Sequence, residues 1–294
     1  MKIHKEKRMT KKKVTKHVVG QVMELIKKWQ QNSYDGNTYP IVDGIIFSNA
    51  GSKGREPLFD VSRNKTGDIF AYWKDKEKGI LEISAPEPGL EIKAPKSMQT
   101  FFGETLMGKN LTYLDVTHLD VSQSTDFSYC FLDFGEGRKS RIKGLDAWDI
   151  SRGVRFVGMF EYAFPNNSIV NLDLSAWEFC KTEEINMASM FYRFAVSAKN
   201  VELNLDGWQV FTVFKFGWMF SNFALTAENV VLNNLEQWQV GHVKCFDYMF
   251  ENFAPRSKYQ LDLSAWSKVY DLTGSHRNFS TGTFFKIKEP TWMR

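Results

Sequence analysis

The hexapeptide LDLSAW occurs twice in the chain, at residues 172–177 and 261–266, and the related LNLDGW occupies residues 203–208. Before each tryptophan, leucines alternate with polar residues, which is the period-2 pattern of a short strand with one buried face. The motif therefore predicts a recurring unit whose strand sends leucine inward and Asp or Asn outward.

Tryptophan recurs at a nearly constant interval through this part of the chain. The column consists of Trp148, Trp177, Trp208, Trp238 and Trp266, with intervals of 29, 31, 30 and 28 residues. Leu119 occupies the same place one unit earlier. A fixed period of this length is typical of a solenoid, in which each unit buries its apolar face against its neighbours.

A phenylalanine column follows each tryptophan, and in most units a methionine directly precedes the phenylalanine. Its members are Phe101, Phe131, Phe160, Phe191, Phe220, Phe250 and Phe279. Around it apolar residues recur at i, i+3, i+4 and i+7, as in Phe156, Met159, Phe160 and Ala163, which is typical of one helical face. Each unit is therefore predicted to run strand, turn and short helix around a shared core. Trp218 and Tyr248, where another unit has Gly158, fit an exposed ridge instead.

The segments LDVSQSTDFSYCF (119–131) and LDLSAW…MASMF resemble the BspA-like bacterial leucine-rich-repeat family. The resemblance covers about residues 67–280 and implies an α/β solenoid: a leucine-rich-repeat-like stack of strand-turn-helix units with a parallel sheet. It also implies a β-hairpin cap, here GDIFAYWKDKEKGILEIS (67–84), with GLEIKAP as a third strand. Many members look like wall-attached surface proteins, whereas this sequence predicts a member without secretion signal or wall anchor.

Four segments follow from these patterns. They are a basic flexible arm (1–16), an N-terminal helix and α/β cap (17–100), the repeat solenoid (101–280) and a C-terminal tail (281–294). The helix is predicted within residues 14–31, where apolar residues form a helical stripe.

Composition narrows the location and the class of protein. Hydrophobic residues make up 43% of the 294 residues, enough for a sizeable core, and 25 Phe and 9 Trp supply rings for it. Three cysteines without a CxxC pair favour a reduced, intracellular setting. With no apolar run of about 18 residues, the sequence predicts a cytoplasmic protein that does not insert into membranes.

The sequence favours a non-catalytic protein without a cofactor. The five histidines form no metal-ligand spacing, and neither a GxSxG elbow nor an activated cysteine cluster is recognisable. The stretch GETLMGKN (103–110) approaches a phosphate loop, but Asn110 stands where that motif needs Ser or Thr after Lys109. Nucleotide binding is therefore disfavoured.

The favoured function is a protein-binding scaffold, an intracellular interaction, inhibitor or regulatory protein that uses a solenoid face. Outward polar residues near each tryptophan are the predicted contact residues, forming an acidic stripe for a basic partner. They are Asp146, Asp173, Asn204, Asp206, Asn234, Glu236 and Asp262. Hydrated strand and turn residues are the alternative reading of the same side chains.

Two other functions stay open at this point. Residues 1–16 hold eight Lys or Arg and one Glu, a charge of +7 in a chain of net charge +4. The positive charge of this arm predicts contacts with nucleic-acid phosphates through Lys5, Lys7, Arg8, Lys11, Lys12 and Lys13. A solubilising tail is the simpler reading. If the protein is exported, a surface adhesin-like role is the remaining alternative.

Overall fold

The computed structural model describes residues 13–33, 40–103, 106–268, 274–283 and 287–293. The helices are α1 (Val22–Asn32) and α2 (Leu106–Asn110). The strands of the first half are β1 (Gly44–Ser48), β2 (Phe59–Asp60), β3 (Phe70–Asp75), β4 (Ile80–Ser84), β5 (Ile92–Lys93), β6 (Tyr113–Asp115), β7 (Leu119–Asp120) and β8 (Arg141–Lys143). Those of the second half are β9 (Ile169–Asp173), β10 (Ile185–Asn186), β11 (Asn200–Asn204), β12 (Val213–Lys215), β13 (Asn229–Leu232), β14 (Leu261–Asp262) and β15 (Ile287–Lys288).

Equivalent strands of successive units lie side by side and parallel. In the sheet β9-β11-β13, Leu172 pairs with Leu203, and Leu203 pairs with Leu232. The alternation read from the sequence holds here, since Val170 and Leu172 are buried while Asn171 and Asp173 are exposed. The units therefore stack through hydrogen-bonded strands about one sequence period apart.

The N-terminal part joins this stack through a six-stranded sheet of order β2-β3-β4-β1-β6-β8. Strands β3 and β4 form the predicted antiparallel hairpin, and β6 and β8 are the first strands of the repeats. The predicted third hairpin strand lies elsewhere, because β5 pairs in parallel with β7. The boundary predicted between residues 100 and 101 consequently falls inside a region bound together by one sheet.

The predicted short helix of each unit is wrong: the Met-Phe segments are successive turns. In the unit around Phe160, Met159 and Glu161 bond back to carbonyls three residues earlier. The amides of Gly158 and Phe160, which alternate with these, instead donate to the carbonyls of Ala188 and Met190 in the next unit, at 2.9 Å each. A helix directs its amides along its own axis and would leave no donors for a neighbouring unit. The turns provide the inter-unit hydrogen bonds that a helix would forfeit.

Left-handed backbone conformations recur at fixed places in these turns. The residue before the methionine has positive φ in four units, at Gly158, Ser189, Trp218 and Tyr248. Most L-residues avoid this region because Cβ crowds the carbonyl oxygen, so the stacked hydrogen bonds must hold it in place. This explains why an i, i+3, i+4 pattern of buried residues arises here without a helix.

The core is built from stacked rings, as the sequence predicts. Phe131, Phe160, Phe191 and Phe220 stack face to face with centroid distances of 5.1–5.6 Å, and Trp177 stacks on Trp208 at 6.3 Å. The residue that extends the phenylalanine stack beyond Phe131 is Phe102, 5.4 Å away; the sequence alignment had Phe101 there. Both rings are buried, so the two apolar neighbours cannot be distinguished by pattern alone.

Trp218 and Tyr248 lie on the surface, as the ridge interpretation expects. Trp218 is 39% exposed, and its ring stacks on Tyr248 at 5.0 Å. They lie on the Met-Phe turns, Trp218 three residues after β12 and Tyr248 three residues after Cys245, which bridges to that strand.

Helix α1 begins at Val22, later than predicted, because the preceding residues pair with the cap. Val14 bridges to Glu91, and the amide of Val19 donates to the Lys93 carbonyl at 2.9 Å. An extended segment therefore replaces the first helical turns. The described part of the arm, residues 13–16, is thus fixed by backbone pairing with the cap. These residues therefore belong to the cap, and the predicted boundary of the flexible arm at residue 16 lies too late in the chain.

Candidate protein-interaction surface

The outward face of the repeat strands carries the polar residues that the sequence singled out. Asp146, Asp173, Asp206 and Asp262 are exposed, and Asn204, Asn234 and Glu236 are half-buried. Two apolar side chains share this face, Ile169 at 58% and Val231 at 45% exposure. The outward strand face is therefore mainly polar, with two exposed apolar residues.

Several of these side chains hold turns. The Asp173 carboxylate accepts the N–H of Ser175 at 3.0 Å, closing the turn that leads to the tryptophan. Equivalent bonds run from Asp206 to Asn204, from Ser264 to Asp262 and from Thr117 to Asp115. The Asp/Asn-x-x pattern is a recognised turn signal. Part of the predicted site is consequently structural.

The strand register corrects one member of the set. Asn204 donates to Asp173 at 3.0 Å, and the next side chain in this column is Asn233, which donates to Asn204 at 3.4 Å. Asn234 is displaced from the column and instead donates to Asp206. Counting back from Trp238 misplaces the column, because this unit has one extra residue between strand and tryptophan.

The face is not a uniform acidic stripe. Lys143 lies 3.0 Å from Asp115, and Lys288 lies 2.8 Å from Asp262. The hydrogen bond from Lys288, followed by those from Ser264, lowers the pKa of Asp262 to about 2. Burial alone would raise the pKa of Asp115, but its bonds with Thr117 and Lys143 lower it. Neither lysine is predicted by a repeat aligned on tryptophan, because the carboxylate that each contacts belongs to another unit.

An extra residue interrupts the sheet at two places. From the last inward-facing strand residue to the tryptophan, the spacing is six in Ile142–Trp148 and Leu232–Trp238, and five in Leu172–Trp177 and its remaining counterparts. The additional residues are Gly144 (φ 90°) and Asn234 (φ 63°), each followed by a 3₁₀ turn. Within the described residues, no strand pairing joins β8 to β9 or β13 to β14. We infer that the added left-handed residue separates the next strand and opens a groove.

The first groove lies between β8 and β9 and has a volume of about 630 Å³. It is closed at one end by the Asn167 side chain, which bonds both the N–H and the C=O of Ser140. At the other end the Trp177 indole donates to the Leu145 carbonyl at 2.8 Å. Its lining is Tyr113, Arg141, Ile142, Lys143, Gly144, Leu145, Asp146, Asn171, Leu172 and Asp173.

Backbone polar groups of both strands face the first groove. Alternate residues of a parallel strand direct their N–H and C=O to opposite sides, and Arg141 bonds toward β6 through its N–H to Thr112. Ile142 therefore directs its groups into the groove, as does Asp173, since its neighbour Leu174 bonds toward β11. The pairing with β6 uses Arg141 and Lys143, and among the turn and loop hydrogen bonds of the described residues none ends on the Ile142 carbonyl.

The second groove lies between β13 and β14, and a side chain fills part of it. Its volume is about 370 Å³, and the Tyr259 hydroxyl donates to the Leu232 carbonyl at 2.6 Å. Leu232 is the counterpart of Ile142, so this carbonyl is the one released by the missing strand pairing. Burial, and to a lesser degree the nearby Glu236, raises the pKa of Tyr259 above its usual range.

The two grooves differ in charge. The first balances Arg141 and Lys143 against Asp146 and Asp173. The charged residues that line the second groove are all acidic: Asp206, Glu236 and Asp262. Six of the seven sequence-predicted residues thus line the grooves, and Asn204 lies on the strand between them.

Two other stretches singled out from the sequence are the basic arm and the phosphate-loop-like segment. Lys13 is exposed and its carbonyl accepts from Glu91, whereas Lys5, Lys7, Arg8, Lys11 and Lys12 lie outside the described residues. Lys109 of the phosphate-loop-like stretch is paired with Asp133 at 3.1 Å and with Glu136. In the ranges that are described, no group of three His, Cys, Asp or Glu side chains is placed to hold a metal, and no helix is long and apolar enough to cross a bilayer.

Comparison with known families identifies the repeated region. The sequence matches the family described as "Mycoplasma protein of unknown function, DUF285" over residues 96–231 and again over 185–292. Together these matches span more than half of the chain. The chain belongs to the DUF285 family. The DUF285 matches overlap in residues 185–231, as expected when a family motif recurs within one sequence.

The DUF285 region coincides with the stacked units and includes both grooves. No curated protein and no solved structure matches the chain. Family membership therefore supports the repeat and leaves activity and partner to be argued from the surface itself.

Proposed function

We propose that this protein is a non-catalytic protein-binding scaffold: a leucine-rich-repeat-like solenoid of the BspA-like kind whose strand face binds a basic partner protein. The observation that carries the proposal is that six polar residues from different units line two grooves on one face of the stack. Repeat stacks commonly bind partners through such extended surfaces.

The electrostatics favour a basic partner on the half of the face between β11 and β14. Glu202 is exposed on β11, and the second groove adds the carboxylates of Asp206 and Glu236. Asp262 is already paired with Lys288 and contributes less. A partner with complementary positive charge would associate faster and more specifically there.

The test is charge reversal on this face in the full-length protein. Glu202→Lys with Glu236→Lys changes two side chains for which no hydrogen bond occurs in the described structure, so the turn-forming Asp173 and Asp262 stay intact. The matched control reverses Glu183 and Glu184, two exposed residues on the turn before β10. Thermal unfolding of each variant establishes that the fold persists.

Affinity capture from cells, followed by direct binding of the captured protein, supplies the measurement. We expect the Glu202/Glu236 variant to lose a basic partner that the wild type and the Glu183/Glu184 control retain. Loss in the control with retention in the strand-face variant would assign the opposite side. Retention in both would contradict the proposed surface.

Nucleic-acid binding by the basic arm is the second candidate, favoured by its charge of +7. Deleting residues 1–12 should then abolish binding to a mixed-sequence duplex, and wild-type binding should weaken steeply with salt. Binding that survives the deletion would exclude the arm.

A further inference from the structure

We propose that the first groove binds a tyrosine side chain presented by a partner protein. This inference rests on the proposed function, because it assumes that the strand face meets a protein. It assigns the ligand chemistry of one groove and leaves the basic-partner contact to the other.

The second groove provides the template from within the same chain. There the Tyr259 hydroxyl donates to the carbonyl of Leu232, which lacks a strand partner, while the ring packs 6.0 Å from Phe253. Tyr259 lies three residues before Asp262. The residue three before Asp173 is Val170, which has no hydroxyl.

The first groove therefore has the same acceptor without the internal donor. Ile142 and Leu232 both lie six residues before a tryptophan, and both direct a carbonyl into a gap between strands. A phenol entering from solvent can supply to Ile142 the hydrogen bond that Tyr259 supplies to Leu232. The larger volume, about 630 Å³ against about 370 Å³, leaves room for a ring.

Arg141 provides an independent reason for an aromatic ligand. Its guanidinium lies 4.6 Å from the centroid of the Tyr113 ring on the preceding strand. Arg141 and Asn171 both line the first groove, so a ring bound beside them can reach the face of this planar cation that Tyr113 leaves uncovered. A second ring there would sandwich the guanidinium, an arrangement that Arg favours.

The mixed charges of the lining give no net attraction to a charged side chain. An incoming Lys or Arg would meet Arg141 and Lys143, and an incoming Asp or Glu would meet Asp146 and Asp173. A phenylalanine would stack but leave the Ile142 carbonyl without a donor. A neutral ring with one hydroxyl can stack on the Arg141 guanidinium and donate a hydrogen bond to the Ile142 carbonyl.

The experiment titrates the full-length protein with acetyl-Gly-Tyr-Gly-amide and, as the matched probe, acetyl-Gly-Phe-Gly-amide, followed by NMR. We expect the Tyr peptide to perturb the amide signals of Ile142 and Asn171 and to bind about tenfold more tightly than the Phe peptide, the ratio expected for one hydrogen bond to a shielded acceptor. Equal affinities, or no binding of the Tyr peptide, would overturn the assignment.

Two variants, with Arg193→Gln as a control, locate the binding. Arg141→Gln should weaken the Tyr peptide about threefold or more, whereas Arg193→Gln, which removes an Arg–Tyr stack outside the groove, should leave it unchanged. Deleting Gly144 restores the five-residue spacing and should abolish binding by closing the groove. An unaffected Arg141→Gln variant would overturn the proposal even if the deletion variant does not fold.

The outcomes separate this inference from the proposed function. If Glu202→Lys with Glu236→Lys abolishes partner binding but the Tyr peptide shows no preference, the strand face is the interaction surface and the tyrosine assignment is wrong. If the Tyr peptide binds as described and charge reversal has no effect, the tyrosine site stands and the basic-partner surface fails.

Discussion

The first and second grooves arise from the same backbone feature and differ in what occupies them. One extra left-handed residue, Gly144 in one unit and Asn234 in the other, precedes each gap in the strand pairing. The second gap receives the chain's own Tyr259, whereas the first stays open above Val170. One inserted residue can therefore open a groove in the strand face of a repeat, and one side chain can fill it again.

Both grooves are spanned by an indole hydrogen bond, and removing the indole should have the largest effect. Trp177 is buried, stacks on Trp208 and donates to Leu145 across the first groove. We expect Trp177→Ala to lower the free energy of unfolding by about 3–5 kcal/mol through the cavity that it leaves. Denaturant unfolding measures this.

Trp266→Ala is the counterpart across the second groove, where its indole donates to Leu235 at 3.0 Å. A comparable loss is expected, since Trp266 is equally buried. A loss below about 1 kcal/mol for either variant would show that the stacked core does not depend on these bridges.

The internal tyrosine should matter next. Tyr259→Phe keeps the ring but leaves the Leu232 carbonyl in the second groove without its donor. We expect a loss of about 1–3 kcal/mol in the free energy of unfolding, the cost of an unsatisfied shielded acceptor. Tyr162→Phe, at a half-buried tyrosine outside both grooves, is the control and should change little. Equal effects of the two substitutions would contradict the role given to the hydroxyl.

A smaller effect distinguishes the indoles that donate a hydrogen bond to the preceding unit from one that does not. The Trp238 indole N–H has no acceptor among the described residues, whereas that of Trp177 bonds to Leu145. Trp177→Phe should therefore cost about 1 kcal/mol more than Trp238→Phe, because both lose similar volume and only one loses a hydrogen bond. The same order in a thermal scan would support it, and the reverse order would refute it.

The smallest effect concerns pH at the edge of the second groove. Asp262 has a folded-state pKa of about 2 against an ordinary value of 3.8. Its contribution to stability is thus fully present above the ordinary value and is lost as the pH falls through about 2. Lys288→Ala should move the carboxyl titration, measured by NMR, up toward the ordinary value. An unchanged midpoint would mean that Lys288 does not hold this carboxylate.

The sequence predicted the strands and the core because both follow from simple burial periods. Leu172 and Leu174 alternate with Asp173 as a half-buried strand requires, and the aromatic columns fill the interior. The helices failed for a physical reason: repeated turns bury residues at nearly the same spacing. The positive φ of Trp218 and Tyr248 opposes the preference of these residue types for negative φ. Hydrogen bonds with neighbouring units impose it, so the residues themselves do not predict it.

The candidate surface was predictable in part. Outward alternation located Asp173 and Asp262, but the ion pairs of this face, Lys143 with Asp115 and Lys288 with Asp262, join strands of different units and required the strand pairing. The grooves did leave a signal, the six-residue spacing between Ile142 and Trp148, which the alignment on tryptophan absorbed as ordinary variation. Tyr259 could not be placed from sequence, because its partner is a backbone carbonyl of another unit.

Amide hydrogen exchange tests the central claim, that an extra residue opens the strand face, most directly. Asn204 faces β9 and is paired there, whereas the amide of Asp173 faces the first groove. We predict slow exchange at Asn204 and fast exchange at Asp173 in the wild type, with Asp173 becoming slow when Gly144 is deleted. Equal protection of Asp173 and Asn204 in the wild-type protein would contradict the account.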